Sequence, residues 1–187
     1  MQPMGTHESK SAPATRVARE RRPVRIRPIR PTDTAELERF YAALSPESRR
    51  MRFFATASSL SHAKSASFCT TDHDHREGFV AVLDGGPDGH DRIVGHLCLE
   101  PGGMNAAEVA IAVADAFRDR GIGRRLLAAG TDWARREHIA RLTATMFASN
   151  APIHRLLSGL GLPTRERSVE AGVAEITIDL ASQGIAA

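Results

Sequence analysis

The sequence predicts an α/β fold with a mixed, mostly antiparallel sheet, and two observations lead to this prediction. Residues 78–83 and 92–100 are apolar segments separated by a turn rich in Gly, Pro and Asp, which is typical of an antiparallel hairpin. Residues 108–113 and 141–147 are two further candidate strands with an amphipathic helical stretch between them. Because such crossovers are right-handed, these two strands should lie side by side and parallel.

The first strand and helix follow a short proline-rich segment. Residues 24–29 alternate, so Arg25 and Arg27 should face solvent or substrate. Asp33 and Glu36 are expected to form an acidic cap before a helical apolar stripe.

The second helix should begin at Ser45, a good N-cap residue, with Pro46 in its first turn. The other predicted elements are a short helix at 60–68, helices at 123–137 and 152–159, and a closing strand at 175–180.

Composition predicts one domain. The chain has 187 residues, 42% of them hydrophobic, which suffices for a single sizeable core. We expect a flexible basic leader over 1–23 and a single domain over 24–187. The first 30 residues hold eight of the 25 Lys and Arg residues and two of the 22 acids, which leaves 17 basic and 20 acidic residues in the rest. No basic stripe with interleaved aromatic residues follows, so nucleic acid is not an expected partner.

The hydropathy of the sequence gives no sign of a targeting or membrane segment. No apolar stretch approaches the roughly 20 residues of a membrane span, and no signal-peptide core precedes the domain. We therefore expect a cytoplasmic protein without membrane attachment. Cys69 and Cys98 have apolar neighbours and are predicted to be buried thiols rather than a disulfide.

The turn after strand 108–113 has the features of an anion site. Gly121 and Gly123 allow backbone amides to approach a ligand at the start of the following helix, where the helix dipole also favours an anion. Four arginines surround the turn: Arg118, Arg120, Arg124 and Arg125. Glycines in such a turn can also have a purely steric role.

Two common phosphate motifs do not fit this turn. A dinucleotide fingerprint needs a third glycine, and a nucleoside-triphosphate loop needs Gly-Lys-Ser/Thr. The turn instead resembles the acyl-coenzyme A (CoA) pyrophosphate loop of the GNAT acetyltransferases, Gln/Arg-x-x-Gly-x-Gly/Ala, at Arg118, Gly121 and Gly123.

Three other segments extend this resemblance to about residues 24–180. Residues 24–54, the stretch FCTTDHDHREGFVAV at 68–82 and the strand AEVAIAV at 107–113 resemble the GNAT domain of bacterial Pat-type protein lysine acetyltransferases. The resemblance implies the GNAT fold, in which the central parallel strands splay apart, and it implies a cytoplasmic bacterial N-acetyltransferase with acetyl-CoA as co-substrate. Its acceptor would be a lysine of a protein such as an acyl-CoA synthetase.

The resemblance also implies site residues. Glu108 matches the general base of the Pat-like group, although a strand-end glutamate can equally face water or pair with an arginine. Burial against the strand's apolar neighbours would suit a base that works near neutral pH. Glu100 and Asp115 are weaker candidates. The residues expected to bind the co-substrate are Ile111, Ala112, Val113, Arg118, Asp119, Arg120, Gly121, Ile122, Gly123, Arg124 and Asn150.

The last helix departs from the family pattern. Asn150 matches, but Leu157 stands where many GNAT enzymes have a tyrosine that protonates the leaving thiolate, and Leu162 replaces a phenylalanine. Water or another group could protonate the thiolate, the thiolate could leave unaided, or catalysis could be weak. His154 is a possible acid, but a lone helical histidine is more often a packing residue.

The polar loop at 72–76 is expected on the acceptor side, with Asp72 and Asp74 as substrate-binding residues. Its histidines lack the paired spacing of a zinc site, so no metal is expected. Two alternatives to protein acetylation stay open: acetylation of a small-molecule amine, and a non-catalytic acyl-CoA sensor. A monomer and a homodimer are both compatible with the sequence.

Overall fold

One sheet organises the described part of the protein. The structure is a computed structural model that describes residues 23–54, 60–85, 91–168 and 171–180. Within these ranges the strands are β1 (Val24–Pro28), β2 (Glu77–Leu83), β3 (Arg92–Pro101), β4 (Ala106–Val113), β5 (Arg141–Phe147), β6 (Thr164–Ser168) and β7 (Val173–Asp179). They lie in the order β1-β2-β3-β4-β5-β7-β6, and all neighbours are antiparallel except β4 and β5.

Helices cover both faces of the sheet. They are α1 (Thr34–Ala42), α2 (Pro46–Phe53), α3 (His62–Cys69), α4 (Ile122–Arg136) and α5 (Ala151–Ser158). Residues of α4 and α5 such as Leu126 and Leu157 pack with Leu97 of β3 in one core cluster. On the opposite face, α1 and α3 contribute Tyr41 and Phe68 to a second cluster. Because successive side chains of a strand point to opposite faces, the two clusters together bury both faces of the sheet.

The parallel pair opens towards its C-terminal end. Its paired residues run from Ala106 opposite Arg141 to Glu108 opposite Thr143 and stop there, although β4 continues to Val113. The splayed central pair is therefore confirmed. From Val109 onward, the backbone edge of β4 that faces β5 is free of pairing with that strand.

The structure confirms the predicted strands and helices with small shifts of their ends, and it corrects three details. Strand β6 was not predicted. Asp33 is the N-cap residue of α1 and Glu36 lies in the first turn, as expected, but the Asp33 side chain makes no hydrogen bond to α1 and instead accepts hydrogen bonds from Arg27 at 2.7 and 2.8 Å. Arg27 is consequently buried, whereas Arg25 is exposed as expected.

Some predictions lie partly or wholly outside the described residues. The leader is described only at Pro23, and the turn between β2 and β3 only at Asp84, Gly85 and Asp91. Cys69 and Cys98 are buried and not bonded to each other, as predicted. Among the described helices, none combines the length and apolar character needed to cross a membrane.

Candidate active site

The splay between β4 and β5 opens a cleft of about 620 Å³. Ten of the eleven residues predicted to bind the co-substrate line it, drawn from β4, from the turn before α4 and from the start of α5. The exception is Arg120, whose guanidinium lies 5.0 Å from the centre of the Phe117 ring. The fold therefore brings most of the predicted set together around one cavity.

The turn before α4 gives this cleft an anion-binding end. Gly121 is the N-cap of α4 with φ of 73°, and the cap position makes no side-chain hydrogen bond to the helix. A β-carbon at Gly121 would meet nothing within 4 Å, so the first amides of α4 are open on this side. Arg118, Arg124 and Arg155 add positive charge to the lining. This end suits a pyrophosphate group.

Arg118 also ties the turn to α2. Its guanidinium donates to Ser48 Oγ at 2.6 Å and lies 3.1 Å from Asp115 Oδ1. Asp115 in turn accepts hydrogen bonds from the Ser45 amide and hydroxyl. Partial burial alone would raise the pKa of Asp115, but the hydrogen bonds from Ser48 and Ser45 and the charge of Arg118 hold this pKa below its usual value. The hydrogen bonds of Asp115 therefore fix the N-terminus of α2.

Several lining residues were not identified from the sequence. Helix α2 contributes Ser48, Met51 and Arg52 to the wall of the cleft, and α5 contributes Arg155 and Leu156. Leu156 belongs to an apolar helical stripe that could have signalled it. The α2 residues carry no such signal, because their position depends on how α2 packs across the open end of the sheet.

Glu108 faces away from the turn, into a second cavity of about 280 Å³ on the α1–α3 face of the sheet. Its side chain is exposed, so the burial that would suit a base is not found. Among the described residues it has no hydrogen-bond or ion-pair partner. The carboxylate is thus available to an incoming ligand.

We call this second cavity the acceptor pocket, after the role that we propose for it. Its floor consists of two cross-strand pairs, Cys98 opposite Ala110 and Glu100 opposite Glu108. The remaining lining comes from α2, α3 and the residue Leu60: Arg52, Phe53, Leu60, Lys64 and Phe68. The cleft and the acceptor pocket share two residues, Ala110 and Arg52. The two cavities therefore meet beside β4.

Glu100, the weaker base candidate, is already paired. Arg76 donates to its two carboxylate oxygens at 2.6 and 2.8 Å. The hydrogen bond and charge of Glu100 raise the pKa of Arg76 further. Glu108 is then the carboxylate in the acceptor pocket that keeps both oxygens unpaired within the described chain.

The loop before β2 brings Arg76 to Glu100. Asp72 Oδ1 accepts hydrogen bonds from the backbone amides of Arg76, His75 and Asp74, and these bonds lower the pKa of Asp72 to about 2. Asp74 is exposed beside His75. Neither aspartate lines the cleft or the acceptor pocket. Within the described ranges no group of three His, Cys, Asp or Glu residues is placed to hold a metal ion.

The start of α5 completes the cleft. Asn150 is buried and caps α5 by accepting from the Ile153 amide. Leu157 is buried and lines the cleft, so an apolar side chain stands at the position of the usual tyrosine. His154 does not line it, and its Nε2 lies 3.0 Å from the Ala148 carbonyl oxygen. His154 is therefore not placed as a proton donor in the cleft.

Comparison with known proteins agrees with this geometry. The model of the acetyltransferase (GNAT) family matches residues 34–162. The GNAT domain of S. lividans PAT is 29% identical, with a TM-score of 0.73 over 86% of this chain and 93% of that one.

Two more distant structures show the same fold. A phosphinothricin acetyltransferase from Sinorhizobium meliloti, solved with acetyl-CoA, is 16% identical, with a TM-score of 0.64 over 82% of this chain and 86% of that one. A cAMP-binding acyltransferase from Mycobacterium smegmatis is 21% identical, with a TM-score of 0.53 over 84% of this chain and 44% of that one. Family match, fold and cleft together lead to one conclusion: the chain belongs to the acetyltransferase (GNAT) family.

Proposed function

We propose that this protein transfers the acetyl group of acetyl-CoA to a lysine side chain of a protein, with Glu108 as the general base. The observation that carries the proposal is the meeting of two cavities beside β4. One has an anion-binding end at the N-terminus of α4, and the other has the unpaired carboxylate of Glu108 two residues from the shared Ala110. A thioester in the cleft and an amine in the acceptor pocket would meet there.

Acetyl-CoA would supply an activated acetyl thioester. The α4 amides with Arg118 and Arg124 would hold its pyrophosphate, and the free edge of β4 would hold its pantetheine arm through backbone hydrogen bonds. Holding the thioester fixed beside the acceptor lowers the entropic part of the barrier.

Glu108 would then accept a proton from the acceptor ammonium group. The freed lone pair attacks the thioester carbon, the C–S bond breaks as the amide bond forms, and CoA leaves as a thiolate. The second proton of the attacking nitrogen passes to this thiolate or to water, so that neutral amide and CoA result. No tyrosine is available, because Leu157 occupies that position. A thiol pKa near the roughly 8.5 of a free cysteine makes the thiolate a leaving group that does not require a protein acid.

The protein acceptor rests on the resemblance to Pat-type enzymes and on the likeness to the GNAT domain of S. lividans PAT. An acyl-CoA synthetase is the substrate class that this resemblance suggests. The excess of acidic over basic residues after residue 30 suits a cationic acceptor. A cytoplasmic location in a bacterial cell belongs to the same proposal.

The test is CoA release from acetyl-CoA in the presence of acyl-CoA synthetases, free polyamines or amino acids. Release that depends on the protein substrate, with acetyl-lysine located by mass spectrometry, would support the proposal. Faster release with a free amine would move the function to small-molecule acetylation. Tight acetyl-CoA binding without release on any acceptor would indicate the non-catalytic sensor that the missing tyrosine favours.

A further inference from the structure

Arg52 is a cation without a carboxylate partner in the wall of the acceptor pocket. It lies in the last turn of α2, is half-buried, and makes no ion pair with any described residue. Its Nε atom is buried and has no hydrogen-bond partner within the described chain. A guanidinium in this state carries a desolvation cost that a bound anion would offset.

The neighbours of the guanidinium do not neutralise it. Its Nη2 donates to Cys98 Sγ at 3.2 Å, and Tyr41 and His96 are further polar neighbours. Burial and the charge of Arg52 lower the pKa of His96 to about 3, so this ring is neutral near pH 7. Burial raises the pKa of Tyr41 to about 12 and also raises the pKa of Cys98. Both groups are therefore neutral near pH 7, and the positive charge of Arg52 stays uncompensated.

The aromatic neighbours of the Arg52 guanidinium lie on the side of the acceptor pocket. Its central carbon lies 4.9 Å from the Phe53 ring centre and 5.8 Å from that of Phe68. Phe53, Phe68 and Cys98 all line the acceptor pocket, and none of them lines the cleft. Although Arg52 itself lines both cavities, the side chains packed around its guanidinium thus belong to the acceptor pocket.

The acceptor pocket is lined by both a negative and two positive side chains that are not paired with each other. Arg76 neutralises Glu100, so Glu108 is the remaining negative group, whereas Arg52 and Lys64 are both positive. The Lys64 ammonium lies 4.7 Å from the centre of the Phe68 ring, close to the same wall as Arg52. At about 280 Å³ the pocket has the size of a small ligand site.

We propose that the acceptor is an amine with an anionic group beside it, bound with the amine at Glu108 and the anion at Arg52 and Lys64. This inference rests on the acetyl transfer and the Glu108 base of the proposed function, and it specifies the chemistry of the acceptor. The anion could be the carboxylate of a free amino acid or an Asp or Glu next to the target lysine of a protein. The chemistry is the same, and matched substrates separate the two sources.

The experiment compares acceptors that differ only in the anion. One arm uses peptides in which Asp or Asn precedes a single lysine, and the other uses free amino acids and their carboxamides. CoA release from acetyl-CoA gives kcat/KM for each member. In one of the two arms we expect kcat/KM of the acidic acceptor to exceed that of the uncharged acceptor by about tenfold or more. This factor corresponds to the free energy that a hydrogen bond to a charged group contributes.

Variants assign the preference to Arg52. In Arg52→Gln the ratio of kcat/KM between the acidic and the uncharged member should fall towards one, and Arg52→Lys should retain part of the preference. Lys64→Gln should reduce the preference and, on an exposed residue, should not disturb folding. Arg50→Gln is the matched control, because Arg50 lies on the same helix, pairs with Glu47 and lines neither cavity.

Two results would overturn the inference while leaving the proposed function intact. One is a wild-type protein that acetylates acidic and uncharged acceptors equally well. The other is an Arg52→Gln variant that loses activity equally on both, which would assign Arg52 to the reaction centre. If no acceptor of either arm or any protein substrate supports CoA release, the proposed function itself fails.

Discussion

Glu108 and Glu100 lie directly opposite each other on β4 and β3, and Arg76 pairs with Glu100 alone. Two like charges in opposed positions of an antiparallel pair repel each other. The ion pair to Arg76 removes most of this repulsion and divides the roles of the two carboxylates. Glu100 is held by its ion pair, and Glu108 stays available to bind the acceptor.

Removing the Arg76 charge should change the pH dependence of the reaction. In Arg76→Gln a second uncompensated carboxylate faces Glu108, which favours proton uptake by the pair. We expect the acid limb of the kcat/KM profile to move to higher pH, whereas Arg76→Lys keeps it closer to wild type. Arg39→Gln, on the exposed side of α1, is the control. An unshifted acid limb in Arg76→Gln would show that Arg76 does not separate the two carboxylates.

Gly121→Ala should weaken acetyl-CoA binding. The left-handed φ of 73° costs about 1 kcal/mol for a residue with a β-carbon, and Gly121 lines the end of the cleft where the pyrophosphate would bind. Gly172→Ala is matched, since its φ is 76° and its surroundings are equally open, but it does not line the cleft. Both variants should lose similar stability in urea, and calorimetry should show weaker acetyl-CoA binding for Gly121→Ala. Equal binding by the two variants would contradict the assignment of the turn.

Part of the fold and of the candidate site could be predicted from the sequence alone. The strand, turn and helix around Gly121 were predictable, because alternation, helical spacing and the glycine pattern are local. The splay of the two parallel strands and most of the cleft lining were expected only from the resemblance to GNAT domains. Strand β6 was missed because the segment Thr164–Ser168 is polar at every position and has no apolar face. The positions of Arg52 and Arg76 depend on how α2 and the loop at 72–76 pack on the sheet, and a local pattern does not encode such packing.

The Arg27–Asp33 pair predicts a large effect on stability. Both side chains are buried, and Asp33 accepts from the Arg30 amide as well. Asp33→Ala leaves the buried Arg27 with only its longer ion pair to Asp91, at 3.4 Å, so we expect the free energy of unfolding to fall by about 3 kcal/mol, the lower end of the cost of breaking a buried ion pair. Urea denaturation measures it, with Asp84→Ala in the exposed Arg25 pair as the control of much smaller effect. A loss in Asp33→Ala as small as that of the control would contradict this interpretation.

His96 should make the fold sensitive to acid. Complete burial, reinforced by the charge of Arg52, lowers its pKa from 6.5 to about 3, and Nδ1 lies 2.8 Å from the Tyr41 hydroxyl. Between these pH values the unfolded chain binds a proton that the folded chain does not. Stability should therefore fall as the pH drops below 6.5, by up to about 1.4 kcal/mol per pH unit.

NMR titration of the His96 ring tests this directly, since its signals should stay unchanged from pH 8 to pH 5. His96→Gln should also lose part of the pH dependence of urea unfolding in this range. A His96 midpoint near 6.5 would contradict the buried neutral imidazole.

The central claim is that Glu108 is the base at the meeting point of the two cavities. The most direct test is the rate of CoA release by Glu108→Gln, with acetyl-CoA binding measured on the same sample and Asp132→Asn, an exposed acid on α4, as control. The account predicts a fall in kcat by about 10²–10⁴ with unchanged acetyl-CoA affinity, because general-base catalysis contributes about that factor. A Glu108→Gln variant that keeps the wild-type kcat would contradict it.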